Sequence, residues 1–179
     1  MASAIRREVN EVSSYFGKPL VFKNLNAGQR LRLIVEAFPD ARIVFIRRNP
    51  RFVLRSILSA RRKLGVTAGR WWSVRPPNFE NYLDLPEAEM CAAQIFHIEK
   101  QVLEDLALFP KQNVFVVNYD EMAADSVKNL GSALGLVPRK DGCLPEFSKD
   151  SVDAIAAEEL EILDRALSRY PFAELTYEG

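Results

Sequence analysis

Three short apolar runs alternate with segments of helical periodicity along this chain, and that alternation restricts the fold more than any other feature. The runs are residues 19–23 (PLVFK), 42–46 (RIVFI) and 113–118 (NVFVVN). Short continuous apolar runs rich in β-branched residues fit strands buried on both faces. Around them, apolar residues recur at helical spacing. Residues 4–16 form one such segment, ended by Gly17, and residues 27–38 another, with Leu31, Ile34, Val35 and Phe38 on one face. Helical patterns follow over residues 50–64 (Val53, Ile57, Ala60, Leu64), 87–109 (Cys91, Ile95, Ile98, Val102), 120–134 and 152–169. Residues 65–86, with Trp71, Trp72, Pro76 and Pro77, read as irregular. Strands alternating with helices predict an α/β fold, a parallel central sheet with helices on both faces. The chain's 179 residues suit one domain, residues 1–179, and show no repeat or low-complexity segment.

In such sheets, ligands bind beyond the carboxyl ends of the strands. That rule singles out residues 23–26, 47–49 and 119–121. The middle corner carries the most chemistry. Arg47 and Arg48 follow the strand, Asn49 can cap the next helix, and Pro50 suits its first turn. The helix start would point free N–H groups and positive dipole at the spot the arginines reach. Ser56 adds a hydroxyl two turns along. A guanidinium recognises phosphate through two parallel hydrogen bonds, so this corner suits a phosphate or sulfate monoester. The plainer alternative is an ordinary turn with solvated arginines. Net charge does not decide between them, since Lys+Arg and Asp+Glu both total 24. Their distribution does bear on it: ten Lys and Arg residues fall between Arg42 and Arg75, while the chain after Glu146 is mostly acidic. A local basic cluster in a neutral chain suits a discrete anionic ligand better than a long polyanion.

The corner also resembles a known motif. Arg-x-Pro, an apolar helix, and a Ser eight residues after the Arg are similar to the 3′-phosphate-binding motif of sulfotransferases that use 3′-phosphoadenylyl sulfate (PAPS). The approach FPDARIVFI, the loop WWSVRPPNF and the segment NVFVVNYDEM, with Tyr119-Asp120-Glu121-Met122 at its end, resemble the same family in the same order. The resemblance covers about residues 18–136. It implies a P-loop-NTPase-like sulfotransferase fold, with Arg48 and Ser56 on the 3′-phosphate of PAPS or of its product PAP. It also implies Tyr119 near the adenine and Lys23 near the transferred sulfuryl group, stabilising charge on oxygen as the S–O bond breaks. Taken as residues alone, Lys23 reads as a strand-end lysine, and Tyr119 reads equally as an aromatic packed under a loop.

Some family features do not match. Cytosolic members often carry a catalytic His two residues after the Lys, where this chain has Leu25. The Gly-rich loop after a first strand, which cradles the 5′-phosphosulfate, has no counterpart before Lys23, and Arg139-Lys140-Asp141-Gly142 matches the family's Arg-Lys-Gly loop poorly. The expectation is therefore a sulfotransferase fold lacking its first strand and loop, either truncated, split or no longer active, that pairs with another chain to complete the sheet. His97, the single histidine, falls off the apolar stripe and is expected at the surface. Of Trp71 and Trp72, one is expected to anchor the loop and the other to face an acceptor.

The expected function is sulfuryl transfer from PAPS to a hydroxyl or amine on a small-molecule or glycan acceptor, without a metal. The alternative is a non-catalytic nucleotide-binding or interaction protein on the same fold. Nucleic-acid binding through residues 42–75 is disfavoured by the buried strand inside that stretch and by the acidic tail. Cys91 and Cys143 have no metal-ligand spacing, and no apolar run reaches membrane-spanning length. With no signal-peptide pattern at residues 1–10, the expected location is cytoplasmic.

Overall fold

The computed structural model describes residues 1–137, 142, 144, 146, 147, 149 and 151–177. Helix α1 (Ala2–Phe16) stops at Gly17, whose φ of 60° lies in the left-handed region that a residue without Cβ enters at no steric cost. Arg6 on α1 donates to the carbonyls of Ala37 (2.6 Å) and Glu36 (2.7 Å), which ties it to the end of α2 (Leu31–Ala37). A 3₁₀ segment, Leu25–Arg30, leads into α2 and replaces the first turns of the helix expected from residue 27.

The strand expected at residues 19–23 does not form. Val21 is 79% and Phe22 70% exposed, and the segment makes no ladder hydrogen bonds. Pro19 lacks one of the five donors a ladder would use. Immediately beyond, the Asn24 side chain accepts from the Asn26 backbone N–H at 2.8 Å and turns the chain into the 3₁₀ segment. An apolar run becomes a strand only where a neighbouring strand and a core accept it, and neither is in reach here.

The other two runs do form strands. β1 (Ile43–Arg47) and β2 (Val114–Asn118) pair in parallel, from Ile43 opposite Val114 to Arg47 opposite Asn118. Between them run α3 (Pro50–Lys63), a looped segment and α4 (Glu87–Leu106). After β2 come a 3₁₀ turn, Tyr119–Glu121, then α5 (Ala124–Ala133) and α6 (Ala157–Leu167). The result is a small parallel two-stranded sheet flanked by helices, consistent with a sulfotransferase-like fold.

Helix α4 joins two cores. Its first half supplies Met90, Cys91, Ala92 and Ile95 to a cluster with Phe52 and Leu54 of α3 and Leu163 and Ala166 of α6. Its second half supplies Phe96, Val102, Leu103 and Leu106 to a cluster with Leu31 and Phe109, against which Ile43, Phe45, Val114 and Val116 of the sheet pack. The opposite sheet face carries Val44, Ile46, Phe115 and Val117, and Ile46 is half exposed. One sheet face therefore sits on α4, and β1 is held so that Arg47 and Arg48 leave it at its carboxyl end.

The segment after α3 is tied down by buried polar side chains. Arg61 is 1% exposed and donates to Glu87 Oε1 (2.7 Å) and to the carbonyls of Arg70 (2.8 Å) and Thr67 (3.4 Å). Gln94, also buried, donates to the carbonyls of Trp72 (2.9 Å) and Val74 (2.7 Å). These bonds satisfy backbone groups that an irregular loop would otherwise leave unmet against the core. Arg61→Met keeps most of the side-chain volume but leaves a carboxylate and two carbonyls without their donor. Chemical denaturation is expected to show a loss of about 2–4 kcal/mol, with early proteolytic cleavage in residues 65–75.

Candidate functional site

The corner at the end of β1 forms as its residues dictate. Asn49 Oδ1 accepts from the Arg51 backbone N–H at 3.0 Å, and Pro50 opens α3. One expectation is corrected here. The first N–H groups of α3 are not free for a ligand: Pro50 has none, Arg51 is capped, and Phe52 and Val53 donate to the Asn49 carbonyl at 3.0 and 3.3 Å. The groups this corner presents to its cleft are therefore side chains, with the helix dipole as background.

Those side chains line a cleft of about 420 Å³, walled by Arg48, Phe52, Arg55, Ser56, Ser59, Ala60, Arg62, Lys63 and Glu159. Arg48 and Ser56 thus face the same space. Tyr119, at the end of β2, is not a wall of this cleft but supports one: the Arg48 Cζ stands 5.3 Å from the Tyr119 ring centroid and 5.9 Å from that of Phe52. Two rings flanking one guanidinium restrict its rotamers and favour its charge. Lys23 is exposed in the segment before the 3₁₀ turn and lines neither this cleft nor a second one.

Arg47, by contrast, turns to the α4 side and donates through Nε to Glu99 Oε1 at 2.7 Å. Burial pushes the Glu99 carboxyl up, and Arg47 pulls it partly back. Successive residues at the strand end thus point to opposite faces: Arg47 locks the sheet to α4, and Arg48 faces the cleft.

The second cleft, of about 430 Å³, is lined by residues 64–67, Arg70, Trp71 and Trp72. Trp71 packs against the α3–α4–α6 core and donates from its indole to the Val74 carbonyl at 2.9 Å. It is the anchor of the pair, and Trp72 is the more peripheral ring. Residues 139–141 of the segment Arg139-Lys140-Asp141-Gly142 lie outside the described residues.

Helical spacing from Ser56 contained the signal for Ser59, Arg55, Arg62 and Lys63, which share its side of α3. Nothing in the sequence pointed to Glu159, which is 104 residues from its partner Arg55. Among the described residues no group of three or more His, Cys, Asp or Glu side chains could hold a metal, and no helix is long and apolar enough to cross a membrane.

A model of the sulfotransferase family matches residues 1–135, from α1 to the end of α5. The chain belongs to the sulfotransferase family. That membership makes it a transferase of the sulfuryl-transfer kind, and the α/β architecture agrees. No curated protein and no solved structure matches the chain.

His97 is not at the surface as expected. It is half-buried, its Nε2 lies 2.8 Å from the Tyr82 hydroxyl, and its ring stacks on Tyr82 and meets Tyr170 edge-on. Burial, helped by Lys100, lowers its pKa from the ordinary value of 6.5. The unfolded chain then binds the proton more readily than the fold does. The resulting stability is complete above about 6.5 and is lost as the pH falls from there through the lower folded value. Urea unfolding of the parent is expected to weaken between about pH 7 and pH 5, and His97→Gln is expected to flatten that part of the profile.

Proposed function

We propose that this protein binds the 3′-phosphate of PAPS in the cleft beside α3 and serves sulfuryl transfer from that donor to a hydroxyl or amine acceptor. One observation carries the reading: Arg48 and Ser56 wall the same cleft, with Arg55, Arg62 and Lys63 around them. A phosphate monoester carries close to two negative charges at neutral pH, and a set of guanidinium, ammonium and hydroxyl donors matches it. Tyr119, behind Arg48, is the residue we assign to the adenosine that such a phosphate would bring.

In the reaction, an acceptor oxygen or nitrogen attacks sulfur, the S–O bond to the 5′-phosphate breaks, and PAP leaves with the electron pair. The acceptor's proton passes to a base that these residues do not identify. Lys23 is the residue we assign to stabilising charge on the departing oxygen. Small-molecule and glycan acceptors both suit this chemistry. Residues 1–179 act as one domain in this reading, and a buried free thiol at Cys91, its pKa raised by burial to about 11, suits a reducing, cytoplasmic setting.

A second reading has a specific observation behind it. Lys23 stands in an exposed segment outside the cleft, as a nucleotide-binding or interaction protein without catalysis would allow. Val12, Phe16, Val21, Phe22 and Leu25 are also exposed near it, which supports pairing with another chain to complete the site.

Calorimetry with PAP tests the phosphate site, and turnover of PAPS separates the two readings. Arg48→Ala and Ser56→Ala are each expected to weaken PAP binding, Arg48→Ala by about 1.5–3 kcal/mol and Ser56→Ala by less. Unchanged affinity in both would refute the phosphate assignment. Lys23→Ala is expected to slow turnover of PAPS with little change in PAP affinity; binding without any turnover in the parent favours the second reading.

A further inference from the structure

The cleft contains one group that works against its proposed ligand. Among the described residues, its walls bring together four cations, Arg48, Arg55, Arg62 and Lys63, and one carboxylate, Glu159. Glu159 comes from the first turn of α6, which lies outside the part of the chain that matches the family model. Its Oε2 accepts from Arg55 Nε at 3.1 Å, and both side chains remain partly open to water, at 31% and 41%. A second carboxylate of α6, Asp164, takes Arg51 one turn earlier on α3, but neither of those two residues lines the cleft. Two α6 carboxylates thus hold two α3 arginines, and one of the pairs sits where an anion would bind.

We propose that Glu159 is a resident competitor in the anion cleft: it holds Arg55 while the cleft is empty and yields it to a phosphate monoester, and so sets the affinity of the site. The proposal rests on the reading of the cleft as a phosphate site. The physical argument has two parts. A carboxylate at a cleft wall repels an incoming phosphate, and it neutralises one of the cations that would receive it. The Arg55–Glu159 pair is also a weak holder, because an ion pair open to water contributes little and exchanges readily. A phosphate bringing close to two charges to four cations can displace it. Glu159 therefore lowers affinity without closing the site, and the Asp164–Arg51 pair keeps α6 in place when Glu159 lets go.

The test is PAP binding by calorimetry in the full chain, at low and high salt, for the parent, Glu159→Gln, Asp164→Asn and Arg48→Ala. Removing an ordinary polar wall residue would weaken binding, whereas Glu159→Gln is expected to tighten it about threefold to tenfold at low salt. The gain should shrink as salt screens the repulsion. Asp164→Asn, which deletes the neighbouring α6–α3 ion pair without changing the cleft, is expected to leave PAP affinity within about twofold of the parent. Equal or weaker binding by Glu159→Gln, while Arg48→Ala still weakens binding, would overturn the role of Glu159 and leave the phosphate site standing. Equal tightening by both α6 variants would also overturn it, since the effect would then come from loosening α6. Absence of PAP binding in the parent and in Glu159→Gln alike would remove the phosphate reading and this inference together.

Discussion

The packing of α4 against both cores is the constraint on which the rest of the molecule depends. Its residues Cys91, Ala92 and Ala93 are buried, and their small size lets α3 and α6 approach closely on one side. Three turns later, Val102, Leu103 and Leu106 receive α2 and one face of the sheet. A parallel pair of five-residue strands has little stability by itself, so β1 holds its position because Ile43 and Phe45 are seated on this helix. Glu99, on the same helix, takes Arg47 and fixes the end of the strand. The direction in which Arg48 leaves β1 is thus set by contacts on the opposite face of the sheet.

The arginines between residues 42 and 75 divide by what they bury. Arg61 lies inside the protein and serves as a hydrogen-bond hub for two backbone carbonyls and Glu87. Arg47 is half-buried on Glu99, and Arg51 is engaged by Asp164 at the surface. Arg48, Arg55 and Arg62 remain on the cleft. Guanidinium groups suit all of these tasks, because the same planar fork that matches a phosphate also matches a carboxylate or a pair of carbonyls. A basic cluster in sequence therefore overstates the charge available to a ligand, and the folded partners determine how much remains.

This division also explains which features were legible in the sequence. β1, β2, α3, the Asn49 cap and the stop at Gly17 follow from local rules, and the structure has them within a residue or two of the expected positions. Arg48 and Ser56 wall one cleft, as a strand end and the helix that follows it allow. Apart from the α3 N–H groups, which Asn49 takes locally, the failures involve a partner from another segment. Residues 19–23 have the composition of a strand but no neighbour to pair with. His97 lies off the apolar stripe of α4, yet Tyr82 and Tyr170 arrive from other segments and bury it. Arg61 is one of the ten basic residues between Arg42 and Arg75, and it is buried because the loop carrying Thr67 and Arg70 folds back onto it. Helical periodicity describes one face of one element, and α4 is buried on several.

The engaged N–H groups at the start of α3 carry this argument into the site. A cleft that bound its anion through backbone amides would have a rigid cradle, fixed by helix geometry and nearly independent of side-chain identity. Here Asn49 and its carbonyl already use those donors, so the cleft presents guanidinium, ammonium and hydroxyl groups of side chains instead. Such a site is adjustable: its field is the sum of a few discrete charges, each of which can be offset by a carboxylate placed nearby. Arg48 is the exception among them, because the rings of Tyr119 and Phe52 restrain it. Of the cleft's cations, Arg48 is flanked by two rings, and Arg55 is the one that α6 reaches, through Glu159.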